Sequence, residues 1–315
     1  MSLRQTEILQ WSFGIQRQIR SDLMLDATYV GTRGERILVN SLNLNQSVPG
    51  PGGQGPRRPY FAISPNLVNV AYRTNAGDSK YESLQLHLEK RFSAGLNFGV
   101  SYTYASYLSD VGNPNGGGNS DIQNHSCVAC NWGPTTDAYR HVFSLNHVYE
   151  LPFGRDRDYF KTGPLAYILG GWNISGIWSV QSGGHFTPVL GTAVSNSAGG
   201  GTQRPNRIAS GSLASGQSID HWFDTAAFTA PSLYSFGNSG TGILTGPGYF
   251  NVDLSLVRRF RIREKFALDL RSEWFNAFNH ANFNAPNAAI GTGQAGVISS
   301  TLPARIIQMA VKVTF

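Results

Sequence analysis

The stretch Ala304–Phe315, ARIIQMAVKVTF, decides how the rest of the chain is read. Ile307, Met309, Val311, Val313 and Phe315 share one parity, while Gln308, Ala310, Lys312 and Thr314 share the other. A period of two makes this a strand with one apolar face. It contains no Pro and closes on an aromatic ring. Its length suits a strand that crosses a hydrocarbon layer, which takes about 9–11 residues. A soluble edge strand alternates in the same way, so the neighbouring segments must decide.

Working outward, Val252, Leu254, Leu256 and Phe260 alternate with Asn251, Asp253 and Ser255, and a return segment sets Phe266, Leu268, Leu270 and Trp274 against Ala267, Asp269, Arg271 and Glu273. The clearest hairpin runs through Leu84, Leu86 and Leu88, turns at Ser93, Ala94 and Gly95, and returns through Leu96, Phe98, Val100, Tyr102 and Tyr104, with Gln85, His87, Asn97, Ser101 and Thr103 on the other parity. A polar face this regular does not belong in a dry core. Similar pairs span Leu9–Gln18 with Leu23–Val30, and Arg140–Pro152 with Trp172–Gln181. Irregular, Gly-, Pro- or Asn-rich regions separate them at about 34–78, 110–137, 183–246 and 282–303.

Connections therefore alternate, short then long, with 154–170 the longest of the short ones. That asymmetry predicts an all-β, antiparallel up-and-down transmembrane barrel portion, with short periplasmic turns and long extracellular loops. The terminal strand then runs toward the short-turn side, which places Phe315 at the periplasmic rim. Trp11, Phe92, Tyr102, Tyr104, Tyr149, Phe153, Trp172, Trp178, Phe260, Trp274 and Phe315 gather toward strand ends, as an interfacial girdle requires. About nine strands emerge. Single-chain bacterial barrels are even-numbered, so the count predicts part of a larger barrel.

Composition narrows the class. Of 315 residues only 14% are charged, against a typical ~25%. Gly contributes 36 residues and Pro 15, yet aromatics at 12% argue against disorder. The net charge is +6, but the basic residues are scattered and no recognition motif accompanies them, so no nucleic acid partner is expected. No apolar run reaches the 18 residues of a membrane helix. The amino terminus, MSLRQTEILQWSFG, lacks the pattern of an export signal. An outer-membrane chain needs one, so Met1 is expected not to mark the start of the complete protein.

Chemistry-bearing clusters are few. Cys127 and Cys130 form a CVAC pair with only His125 near, which favours a local disulfide over a metal site. The seven His are dispersed, and no HExxH, GxSxG or helix-opening GxGxxG occurs, so neither an enzyme nor a cofactor is expected. Asp253, Asp269, Arg271 and Glu273 fall on polar faces of adjacent strands, where they either line a lumen and contact a plug or decorate a solvated face. His221, Trp222 and Asp224, with Trp132, Tyr234 and Phe236, make either a carbohydrate platform or simple loop packing.

The segments QWSFGIQRQIRSDLMLDATYVGTRGERI (10–37), YESLQLHLEKRFSAGLNFGVSYTYA (81–105), HVFSLNHVYELPFG (141–154), GGWNISGIWSVQSGGHFTPV (170–189), HWFDTAAF (221–228), SEWFNAFNHANFNAPN (272–287) and PARIIQMAVKVTF (303–315) together resemble the carboxy-terminal barrel portion of TonB-dependent receptors, nearest the Oar-like branch. The resemblance implies a barrel of about 22 strands around an amino-terminal plug. It implies energy-coupled solute uptake across a Gram-negative outer membrane. The implied partners are outer-membrane lipid, the plug domain and remaining strands, the TonB system and the barrel-assembly machinery. It also implies that Ile307, Met309, Val311, Val313 and Phe315 form the assembly signal. Residues 1–315 are expected to be barrel throughout, without plug, TonB-contacting segment or signal peptide. A soluble or surface-attached adhesin-like module and a passive porin are the alternatives.

Overall fold

The structure, a computed structural model, describes residues 4–111, 122–136, 138–155, 157–263 and 266–315. Among these residues nine long strands follow one another: β1 (Glu7–Arg20), β2 (Leu23–Asn43), β3 (Ala71–Ser93), β4 (Leu96–Ser109), β5 (His141–Glu150), β6 (Trp172–Gln181), β7 (Tyr249–Arg263), β8 (Phe266–Phe275) and β9 (Ile306–Thr314). Each pairs antiparallel with the next, so one sheet runs from β1 to β9 in chain order. Gly133–Pro134 adds a short ladder to the end of β4. One helix, α1 (Gly163–Leu169), lies in the β5–β6 connection.

Register turns local alternation into a sheet-wide property. At one height Ile15, Ala27, Leu86, Tyr102, Phe143, Val180 and Phe250 are successive cross-strand partners. One residue away, Gln16, Asp26, His87, Ser101, Ser144, Ser179 and Asn251 form the matching row on the opposite face. A slip of one residue in any pair would mix the two faces. The apolar face is not packed under anything. Phe13 is 69% and Met309 78% exposed, and Leu9, Trp11, Leu25, Leu84, Ile307 and Val311 are exposed with them.

Two local devices hold this register. Ala94 and Gly95 both take positive φ, 50° and 78°, so β3 and β4 join through the two-residue turn that matches strand twist. On the apolar face the Trp11 indole lies flat over Gly31, where a Cβ would come within 2.2 Å of the ring. Glycine is required there to seat the ring.

The buried core lies beyond the long-loop end of the sheet. One cluster joins Val39, Leu42, Val111 and Ile122. Another joins Phe186, Phe223, Ala227, Phe228, Leu244 and Ile290. These residues explain the main departure from the sequence reading. The region expected to be irregular from about residue 34 continues as paired strand to Asn43, through bulges after Gly34, Ile37 and Val39. Ile37, Val39 and Leu42 carry the ladder past the belt because they have a core to enter. The 183–246 loop likewise folds into short ladders, His185–Phe186 with Leu244–Thr245 and Asn206–Arg207 with Phe228–Thr229. The Gly-rich tract at 112–121 lies outside the described residues.

Candidate functional site

The polar face of β5–β9 carries the charged residues singled out in the sequence. Arg271 and Glu273, two apart on β8, pair at 3.5 Å, and Arg259 on β7 approaches Asp269 on β8 at 3.6 Å. Asp269 is also the register partner of Lys312 on β9. Asp253 stands apart, because its Oδ1 accepts from the Asn276 backbone N–H and from Asn251 Nδ2, both at 2.9 Å. Asp269, Arg271 and Glu273 thus form one alternating-sign strip with Arg259 and Lys312, while Asp253 anchors the β8 exit. Both arginines are more than half exposed, so each pair contributes at most about 1 kcal/mol and serves to pattern charge.

Two concavities follow that strip. One of about 450 Å³ is lined by Val257, Arg259, Asp269, Arg271, Ala310 and Lys312. The next, about 340 Å³, is bordered by Asp253 and Glu273 and floored by Val148, Ile177 and Phe275. Those three apolar side chains are exposed on the polar face. The sequence reading missed them, and also Arg259 and Lys312. The signal was present, since Val148 and Ile177 occupy polar-parity positions.

A further cavity, about 770 Å³, sits where this face meets the loops. Ser179, Gln181 and Tyr249 enter it from the sheet, and Tyr139, His185, Phe186, Phe283 and Asn284 from the loops. Among the described residues no Asp, Glu, Lys or Arg lines it. Burial pushes the His185 pKa below its usual value, with nearby Arg140 adding to the shift and a hydrogen bond to the Gly242 backbone opposing it. The described lining offers ring faces, hydroxyls and amides.

A buried polar network braces the loops. His125 Nδ1 accepts the Asn43 backbone N–H at 2.8 Å, and the His125 backbone N–H donates to Gln46 Oε1 at 2.7 Å. Gln46 Nε2 donates to the Gln123 carbonyl and Gln123 Nε2 to the Gly237 carbonyl. Burial depresses the His125 pKa. Cys127 and Cys130 are bonded to each other, with Cα atoms 5.4 Å apart. Buried Arg204 donates to the Cys130 carbonyl and to Asn131 Oδ1, tying that small loop to the 183–246 segment.

Two of the residues considered for a carbohydrate platform are engaged within the loops. Trp222 packs on the Phe223 cluster and donates to the Thr245 carbonyl at 2.9 Å, and Asp224 caps a short turn by accepting the Ala226 N–H. On β9, Ile307, Met309, Val311 and Val313 are exposed on the apolar face and Phe315 is 95% exposed. No group of three or more His, Cys, Asp or Glu suited to a metal occurs among the described residues.

The sequence matches the family described as Outer membrane beta barrel domain over residues 1–308. No curated protein matches it. Among solved structures, the outer membrane transporter YddB from Escherichia coli superposes with a TM-score of 0.54 at 13% identity, covering 99% of this chain and 33% of its own. The siderophore receptor PiuA from Acinetobacter baumannii gives 0.47 at 12% identity, over 96% of this chain and 28% of its own. The ferric-catecholate import receptor Fiu from E. coli K12 gives 0.45 at 12%, over 99% and 28%. The chain spans about a third of YddB and less of the other two. At 13% identity the likeness to YddB is one of fold.

Proposed function

Because the chain belongs to the outer membrane β-barrel domain family, we propose that it forms the carboxy-terminal wall and loops of a TonB-dependent receptor of the Oar-like branch, taking up a solute by energy coupling. The chain is a barrel protein of the outer membrane and not an enzyme. One observation supports the reading most: the register places an uncovered apolar belt on one face of nine strands and a polar, charge-patterned wall on the other. Lipid cannot hydrogen-bond a backbone, so strands in it must pair on both edges, and β1 and β9 each have one partner among the described residues. Further strands complete the ring.

In this reading the long loops face outward and the cavity at their base receives the solute. Asp253, Asp269, Arg271 and Glu273 line the lumen, and Val148, Ile177 and Phe275 seat the plug. TonB acts on that plug from the periplasm. The exposed β9 face and Phe315 are read by the assembly machinery. The likeness to the transporter YddB supports transport over adhesion. Liposome swelling with the full-length protein separates the alternatives: a plugged receptor leaves small sugars excluded, whereas rapid swelling would establish a passive porin instead. Purification in buffer without detergent would establish the adhesin-like module.

A further inference from the structure

The 151–171 connection differs from two links at the same end, Ser21–Asp22 and Ala94–Gly95, in length and in surface. It exposes Tyr159, Phe160, Leu165, Tyr167 and Ile168 at an end of the barrel that opens to water. The helix within it does not hang below the sheet. Arg258 lies on the apolar parity of β7, opposite Trp172 and Leu270. Its guanidinium donates to the main-chain carbonyl oxygens of Tyr167 and Ile168 at the end of α1. It also stands 3.9 Å from the Phe260 ring centroid and within 5.7 Å of those of Tyr167 and Trp172. Trp172 Nε1 donates to the Ile168 carbonyl at 3.1 Å, and the Tyr167 and Phe260 rings are 6.1 Å apart. These contacts fold α1 back along the outside of the wall.

An arginine on a lipid-facing strand is costly in proportion to its depth, and the cost is small near the interface. Here the helix supplies carbonyl acceptors and the rings supply cation–π contact, so the charge meets no hydrocarbon directly. Leu165, Tyr167 and Ile168, at 51%, 67% and 59% exposure, then extend the apolar belt sideways at that level. Lys161 precedes the helix.

We propose that α1 is an interfacial anchor, seated in the periplasmic phospholipid leaflet with Leu165, Tyr167 and Ile168 at the boundary of headgroups and acyl chains. Lys161 reaches the phosphates, and the helix screens Arg258. Continuity with the belt and the flanking cation select phospholipid as the occupant. The proposal rests on the reading that the belt faces lipid.

Nitroxide labels test it in the full-length receptor, reconstituted in phosphatidylethanolamine–phosphatidylglycerol vesicles. They are placed by Leu165→Cys, with Ile168→Cys as a second site, Leu86→Cys on the belt and Ser21→Cys in a tight turn. Power saturation with oxygen and a nickel chelate reads depth. The expected order of oxygen preference is Leu86, then Leu165 and Ile168, then Ser21. If Leu165 and Ile168 match Ser21 while Leu86 stays in lipid, the anchor is wrong and the belt stands. Shielding of both helix labels from both reagents would mean a protein partner covers α1, which also overturns it. A water-accessible Leu86 would remove the belt reading itself.

Discussion

Lys90 donates to the carboxylate of Asp22 at 2.6 Å, joining the tight β1–β2 turn to the short-turn end of β3. Ser93 Oγ donates to the same oxygen, and the Arg91 N–H donates to the Asp22 carbonyl at 2.8 Å. Lys90 first, then Ser93, hold the Asp22 pKa down to about 2 from 3.8. A carboxylate depressed on folding stabilises above its unfolded pKa and loses that contribution as pH falls through its folded one. Unfolding midpoints of the full-length protein in detergent should therefore fall between pH about 4 and 2, and Asp22→Asn should flatten the fall in that window.

His125 titrates in the opposite chemical sense to the same end. Its neutral Nδ1 accepts the Asn43 N–H, and burial disfavours the imidazolium. Its depressed pKa means that the unfolded loop takes up the proton first, so the loop core weakens as pH falls below about 6.5. Hydrogen exchange should show faster opening around Asn43 at pH 5 than at pH 7.5. His125→Asn, which keeps an acceptor without titrating, should show no such step.

The loop core is built separately from the wall. Phe223 is 2% exposed and Leu42 wholly buried, each in its own cluster. Phe223→Ala should cost about 3–5 kcal/mol and Leu42→Ala about 2–5 kcal/mol of local stability. Protease treatment of intact cells should then cut the loops of either variant, while both still reach the outer membrane in wild-type amount.

Gly31 seats the Trp11 ring on the lipid-facing side. Gly31→Val must displace that ring, so it should lower stability in urea by about 1–3 kcal/mol. Trp11→Ala should remove most of the added penalty, a coupling that a double-mutant cycle measures.

The wall was legible because period-two alternation states directly which side chains share a face, as Leu86 and Gln85 do. Alternation also located the short turns. It did not reveal α1, because Arg258 is a single charge on an apolar parity and its partners are main-chain carbonyls from a distant connection. The folded loops were hidden for a related reason. Val39, Phe223 and Ile290 stand in short stretches without the sustained period-two alternation of the wall, and only long-range contact makes them a core. Asp269, Arg271 and Glu273 could be assigned to one face, but their partners Arg259 and Lys312 depended on cross-strand register.

The uncovered apolar face meets lipid, and a pair of neighbouring substitutions tests this. Leu86→Arg puts a charge on the belt, at about 2–4 kcal/mol near mid-bilayer, while Gln85→Arg puts it on the polar wall. In the full-length protein, the heat-modifiable folded fraction in outer membranes should fall sharply for Leu86→Arg and stay near wild type for Gln85→Arg. Equal folded fractions for the two variants would mean that this face does not meet lipid.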